Sequence, residues 1–386
     1  MTCYSTAVLA LTTLVSGRTA CAQSVAELTA ARQSAREAVA AYRRQDWTRY
    51  EERLKAAVRV QPHHPVWLYN LASAAALRGD TQRALALLDT VAELGFAFDP
   101  AGDDDFARLR GTAEFERRVA RLAANQRRVG NSSVVLTLPR PDFLPEGIAH
   151  DARTGTLFVS SVRERKILRI RDGVAETLAD SSSGLWSVLG MTFAQATESL
   201  WAVMTVLPEM VGYAPDMKGT ALVELDARTG AVRRRIQPPG AGHGFNDLTV
   251  DDNRHAVYVA DPGAGAVYEW TEQRGLRELV PPGVIYNPSG LAVMPATDWL
   301  YVADYPVGIV RVSTRTGEMQ RLAHADGVNT YGADGLMRYG KDLIIIQNGV
   351  QPHRVARLTL SGDGARIERL TVLERASPYF DEPTLG

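Results

Sequence analysis

One position of a recurring phrase gathers the side chains of this 386-residue sequence best suited to chemistry. The phrase is Pro145-Glu146-Gly147-Ile148-Ala149. Aligned on its second residue, it returns as Leu189-Gly190-Met191-Thr192, Asn246-Asp247-Leu248-Thr249, Ser289-Gly290-Leu291-Ala292, Asp334-Gly335-Leu336-Met337 and Glu382-Pro383-Thr384-Leu385. The lead residues are therefore Glu146, Leu189, Asn246, Ser289, Asp334 and Glu382. Five of the six carry oxygen, and none is His or Cys. Hard oxygen donors of mixed charge suit a divalent cation, calcium foremost, with magnesium, manganese or zinc as the other candidates. Asp or Asn before Gly is also a common turn former, so the shared register, and not any single residue, points to a cation site.

The spacing around these residues says what must hold them. A second apolar run begins at Leu157, Leu200, Val257 and Leu300, each eleven residues after its lead residue, and at Leu343, nine after Asp334. In the third unit the runs Leu248 to Val250, Val257 to Ala260, Ala266 to Trp270 and Leu276 to Val280 read as four strands broken by turn residues. Equivalent breaks at Asp172-Gly173, Thr229-Gly230, Arg274-Gly275, Thr316-Gly317 and Asp363-Gly364 precede each fourth strand. Four antiparallel strands repeating with a period in the forties predict a β-propeller. A β-sandwich would not impose a fixed offset. In a propeller the innermost strands converge on a channel, so lead residues far apart in sequence meet at one mouth.

The Glu-Gly-Ile-Ala, Asn-Asp-Leu-Thr, Ser-Gly-Leu-Ala and Asp-Gly-Leu-Met phrases, with their Leu-Tyr-Val-Ala-Asp-like strands, resemble the senescence marker protein (regucalcin), gluconolactonase and luciferin-regenerating enzyme family of six-bladed propellers. The resemblance runs from Ser133 to the chain end. It implies a divalent metal at the channel mouth, held by a first-blade Glu, a fourth-blade Asn and a fifth-blade Asp and assisted by a third-blade Asn, polarising a lactone or ester carbonyl. Carried over, Glu146 and Asp334 are the ligands and Asn246 the third-blade group. Ser289 stands where the fourth-blade Asn is expected, with Asn287 two residues earlier as a substitute. The reaction would pair Lewis-acid polarisation with a carboxylate that activates water. Asp334 takes the base role, with His243, in the loop Gly240 to Phe245, as second candidate. His353 is a lesser candidate, and Trp186 and Trp201 suit either a pocket wall or the packing between blades.

The rest of the chain frames this unit. Residues 1–22 read as a signal peptide: an apolar stretch from Ala7 to Val15, too short to span a bilayer, then Ala20-Cys21-Ala22 before Gln23. Both cysteines, Cys3 and Cys21, fall inside it, so a chain cut after Ala22 has no disulfide, thiolate nucleophile or cysteine-based zinc site. That places the mature protein in a secreted or periplasmic setting. Residues 23–128 show helical periodicity, and Arg44-Gln45-Asp46 is echoed thirty-four residues later by Arg78-Gly79-Asp80, the tetratricopeptide spacing. So few repeats bury little core alone, and they are expected to lean on the propeller or on a protein partner. Asp103-Asp104-Asp105 reads as a solvated loop and not as a metal site. With 43 Lys and Arg against 44 Asp and Glu, neither nucleic-acid binding nor a membrane span is indicated.

The expected architecture is thus mainly β: a six-bladed β-propeller over residues 131–386 preceded by an α-helical tetratricopeptide-like domain. Blade six has only Glu382 to Leu385, which would leave its middle strands, roughly twenty to thirty residues, missing, unless the ring has five blades. Ser133 to Leu138 is expected to be the closing strand. Two functions follow: a divalent-metal-dependent hydrolase of a lactone, ester or sugar-acid derivative, or a non-catalytic NHL-like scaffold of the bacterial envelope.

Overall fold

The computed structural model describes residues 24–138, 142–295 and 297–385; the expected signal peptide lies outside them. Five antiparallel four-stranded units follow one another from Pro145 to Arg375. Their inner strands are Pro145–Asp151, Ser187–Ala194, Leu248–Asp251, Pro288–Val293 and Ala333–Tyr339. Each packs beside the next, so the sheets turn around a shared axis. Ala323–His324 adds a short parallel strand to the outer edge of the fifth sheet. The third blade keeps the expected strands, at Leu248–Asp251, Ala256–Asp261, Ala266–Thr271 and Gly275–Val280.

Local sequence fixes these sheets in two ways. Gly173, Gly230, Gly275, Gly317 and Gly364, the glycines expected before each fourth strand, all have φ between 66° and 77°, where a side chain is strained. The apolar faces of neighbouring sheets then meet in separate cores between blades, such as Phe158, Met191 and Leu200 between blades one and two, or Tyr258, Leu291 and Val302 between three and four.

The observed blade count is five sheets. The sixth inner position is occupied by the segment at Thr384, which has no sheet of its own. A methyl group at Gly147, Gly190 or Gly290 would strike the backbone of the next inner strand, and one at Gly335 would strike the carbonyl of Thr384. Thr384 Oγ1 in turn donates to the Glu146 carbonyl, at 3.3 Å, so the contact series passes from blade five through this segment to blade one. By that register Thr384, and not Glu382, holds the sixth lead position. Ser133 to Leu138 is not the expected closing strand, because it forms no strand. Pairing with blade five occurs earlier, where Val129 and Arg375 exchange hydrogen bonds of 3.1 and 2.7 Å. Val135 is instead 89% exposed, so that stretch buries no apolar face.

The helical layer consists of α1 (Val25–Arg43), α2 (Trp47–Val60), α3 (Pro65–Leu77), α4 (Thr81–Glu93) and α5 (Ala113–Asn125). The thirty-four-residue echo is structural. Gln45 and Gly79 both turn with positive φ, 58° and 81°, and the following Asp46 and Asp80 both cap the next helix. None of these helices is long and apolar enough to cross a membrane.

The layer leans on blades four and five, on the face that carries the lead residues. Arg32 donates to the Tyr286 hydroxyl (2.7 Å), His64 meets the Tyr331 hydroxyl (3.1 Å), and the Ala97 amide donates to Gln351 (2.9 Å). Val350 enters the helical core beside Leu85 and Phe96. Arg354, 2% exposed, donates to Gln347 and to the Leu94 carbonyl at the end of α4, where a cation suits the helix dipole. The acidic run is less solvated than expected: Asp103 accepts from Tyr69 and Asp105 from Tyr42, each at 2.8 Å.

Candidate functional site

The lead residues from blades three to five meet in one chain of hydrogen bonds. Asn246 Nδ2 donates to Ser289 Oγ at 3.1 Å. Ser289 Oγ donates to Asp334 Oδ1. Asn348, at the end of the second strand of blade five, donates from Nδ2 to Asp334 Oδ2 at 2.7 Å. Asp334 is thereby held on both oxygens. Asn348 Oδ1 is buried and has no hydrogen-bond partner among the described residues. Glu146 lies across the mouth, half-buried, its proton affinity pushed up to about 7 by burial and then by the neighbouring Asp334 carboxylate. Burial likewise raises Asp334, against the pull of Ser289 and Asn348 in the other direction.

A further acid joins them. Asp247 occupies the register at which the first, second, fourth and fifth blades have Gly147, Gly190, Gly290 and Gly335. It is 8% exposed and accepts from the Leu291 amide at 3.3 Å. Burial pushes it up to about 7, and the Asp334 and Glu146 charges add to the rise. Neither Asp247 nor Asn348 was singled out from the sequence as a site residue. For Asp247 the signal was present, as the single acid in a column of glycines. Asn348 lies outside the repeated phrase, and no spacing marks it. Below Asp247 the channel continues as a cavity of about 300 Å³ bounded by Met191, Leu248, Leu291, Leu336 and Arg338.

Other candidates lie elsewhere. Asn287 is tied through its backbone and not to the mouth residues: its amide donates to Asp304 Oδ1 at 2.9 Å and its carbonyl accepts from Tyr305. His243 has Nδ1 at 2.7 Å from the fully buried Asp261, at the end of the second strand of blade three, and Nε2 at 3.0 Å from the Pro239 carbonyl, so both ring nitrogens face oxygens outside the lead-residue chain. His353 pairs with Gln351 at 2.9 Å. Trp201 packs against Trp270 in the core between blades two and three, and Trp186 packs beside the core between blades one and two. Leu189 is buried and supplies no donor.

The residues at the mouth fit a hard divalent cation. Glu146 and Asp334 supply anionic oxygen, and Asn246, Ser289 and the unpartnered Asn348 Oδ1 supply neutral oxygen, a set characteristic of calcium or magnesium chemistry. Among the described residues no group of three acidic, His or Cys side chains is placed to hold a metal ion, so a cation there would have to draw on the neutral oxygens as well.

No known family model matches the sequence, and no curated protein matches it either. Solved structures resemble it at low identity. A virginiamycin B lyase from Staphylococcus aureus aligns over 65% of this chain and 76% of its own, at 14% identity and a TM-score of 0.47. A gluconolactonase from Xanthomonas campestris aligns over 63% and 76%, at 21% identity and 0.43. A nidogen/laminin complex aligns over 60% and 86%, at 15% and 0.46. Such likeness does not bear on chemistry, and the propeller assignment rests on the sheet topology itself.

Proposed function

We propose that this protein is a divalent-cation-dependent hydrolase, secreted or periplasmic, acting on a lactone, ester or sugar-acid derivative. The observation that carries the reading is the set of three mouth acids, Glu146, Asp247 and Asp334, each with raised proton affinity. Such shifts concentrate at functional sites because charge is being kept there without compensation. Glu146, Asp334, Asn246, Ser289 and Asn348 would hold calcium or a similar ion, and a bound ion would supply Lewis acidity toward a carbonyl oxygen. Asp334 is suited to take the proton of the attacking water. Its burial makes it a stronger base than an exposed aspartate, and Ser289 and Asn348 fix its orientation.

Calorimetric titration with calcium and manganese, beside Asp334→Ala, tests this reading. Binding that vanishes in the variant, followed by turnover in a lactone and ester screen, is expected; a folded protein that takes up neither ion sinks it. A second reading is then favoured, in which Asp334 is already satisfied by Ser289 and Asn348 and the chain is an NHL-like envelope scaffold that meets a protein partner through its helical hairpins.

A further inference from the structure

A cleft of about 660 Å³ separates the helical layer from blade five. Its walls are mostly apolar: Val66 from α3, Phe98, Val119 and Ala123 from α5, and Val350 from blade five. Asn348, the residue whose Nδ2 bonds Asp334, is among the residues that line it. One residue therefore belongs to both the mouth and the cleft. Gly349, beside it, packs directly against Gly332 and the Tyr305 hydroxyl and has no room for a side chain, which fixes the backbone next to Asn348. The only ionisable residue on the walls is Asp99, which already accepts from the Gly102 amide at 3.1 Å. No lysine or arginine lines it to hold an anionic substituent, and its amide side chains are three, Gln126, Asn348 and Gln351, set beside the apolar walls.

We infer that this cleft receives the uncharged apolar chain of the substrate, so that the protein prefers lactones or esters with a hydrocarbon substituent over polyhydroxylated ones. This rests on the hydrolase reading above and narrows its substrate class. The volume is within the range of small-molecule sites, about 300–1,000 Å³. Each methylene fully removed from water is worth about fourfold in binding. The cleft is open on one side, so the gain from an acetyl to an octanoyl ester is on the order of thirtyfold in kcat/KM.

The test uses 4-nitrophenyl acetate, butyrate and octanoate with calcium, and, independently of turnover, fluorescence of the uncharged probe N-phenyl-1-naphthylamine. Ala123 is exposed and Val66 is 47% exposed, on different helices of the helical layer, so Ala123→Trp and Val66→Trp fill the cleft without entering a core. Circular dichroism checks that each variant is folded. A preference rising with chain length in the native protein, cut about tenfold by either folded variant together with weaker probe binding, is the expected result. A flat chain-length series in an active protein, or probe binding that both variants leave intact, overturns the inference while the hydrolase reading stands. A protein that hydrolyses no ester yet binds the probe in a variant-sensitive way upholds the apolar cleft and removes the hydrolase reading instead.

Discussion

Two sets of buried acids contrast in this propeller. On the outer strands they face arginines. Asp342, fully buried, accepts from Arg357 at 2.8 Å. Glu269, 3% exposed, accepts from Arg274 at 2.8 Å and also from Arg277, and Glu224 accepts from Arg234 at 2.8 Å. At the mouth, Glu146, Asp247 and Asp334 form no ion pair with Lys or Arg among the described residues, and their protons are held more tightly. The same side chain type is therefore cement in one place and an uncompensated charge in the other. The outer pairs knit strands together; the mouth keeps a negative field that a cation or a proton must answer.

The largest test of that contrast exchanges the two losses. Asp334→Ala is expected to weaken calcium binding by at least about a hundredfold and to cut hydrolysis by about 10²–10⁴-fold, with little loss of stability. Asp342→Ala is expected to do the reverse, costing roughly 2–3 kcal/mol in denaturant unfolding while calcium binding persists. Equal effects on both properties from both variants would erase the distinction.

Asp247→Asn sharpens it. A carboxyl raised to about 7 when folded contributes stability below its unfolded pKa, near 4, and loses that contribution as pH rises through 7. Without a cation, the variant should melt higher than the native protein at about pH 8, by roughly 1–2 kcal/mol, and show no advantage at about pH 4. Thermal scans at the two pH values decide it.

The helical layer supplies the opposite sign. His63 is pulled down to about 4 by burial, with His324 and Arg321 adding to the effect, and His64 to about 3 by burial and Arg32. Burial lowers His324 too. These rings are neutral when docked, so their contribution is present above about pH 6.5 and lost as acid charges them beside those arginines. The helical far-UV signal should melt ahead of the propeller near pH 5 and together with it near pH 7.5. The smallest effect is expected from Ser289→Asn, which puts a longer side chain with an amide oxygen at the fourth-blade lead position; calorimetry should show calcium affinity rising by about three- to tenfold.

Much of the architecture was legible because it repeats. The fixed offset from each lead residue and the glycines before each fourth strand are local signals, and the structure keeps both. The helical echo was legible for the same reason: Gln45 and Gly79 mark one turn. The closing strand was not. Ser133 to Leu138 has the apolar content of a strand, but strand formation needs a free partner edge, and the outer strand of blade five already pairs with Ala323–His324 and with Val129. At the mouth, Asn246, Ser289 and Asp334 were found as members of the repeated phrase and are joined in one hydrogen-bond chain. Asp247 was hidden by its place beside a more obvious lead residue, and Asn348 because it enters from a second strand. Side chains that arrive from outside a repeat leave no period to read.

The segment at Thr384 also has a kinetic meaning. Glu146 begins the propeller and Asp334 opens its fifth sheet, and the contacts that join blade five to blade one pass through Thr384. That makes the mouth one of the least local assemblies in the chain, and contacts of high sequence separation form slowly because loop entropy is lost before they are made. During refolding, the blades should acquire their sheets before the mouth is assembled, so uptake of the calcium ion proposed for it would time the meeting of blade one and blade five.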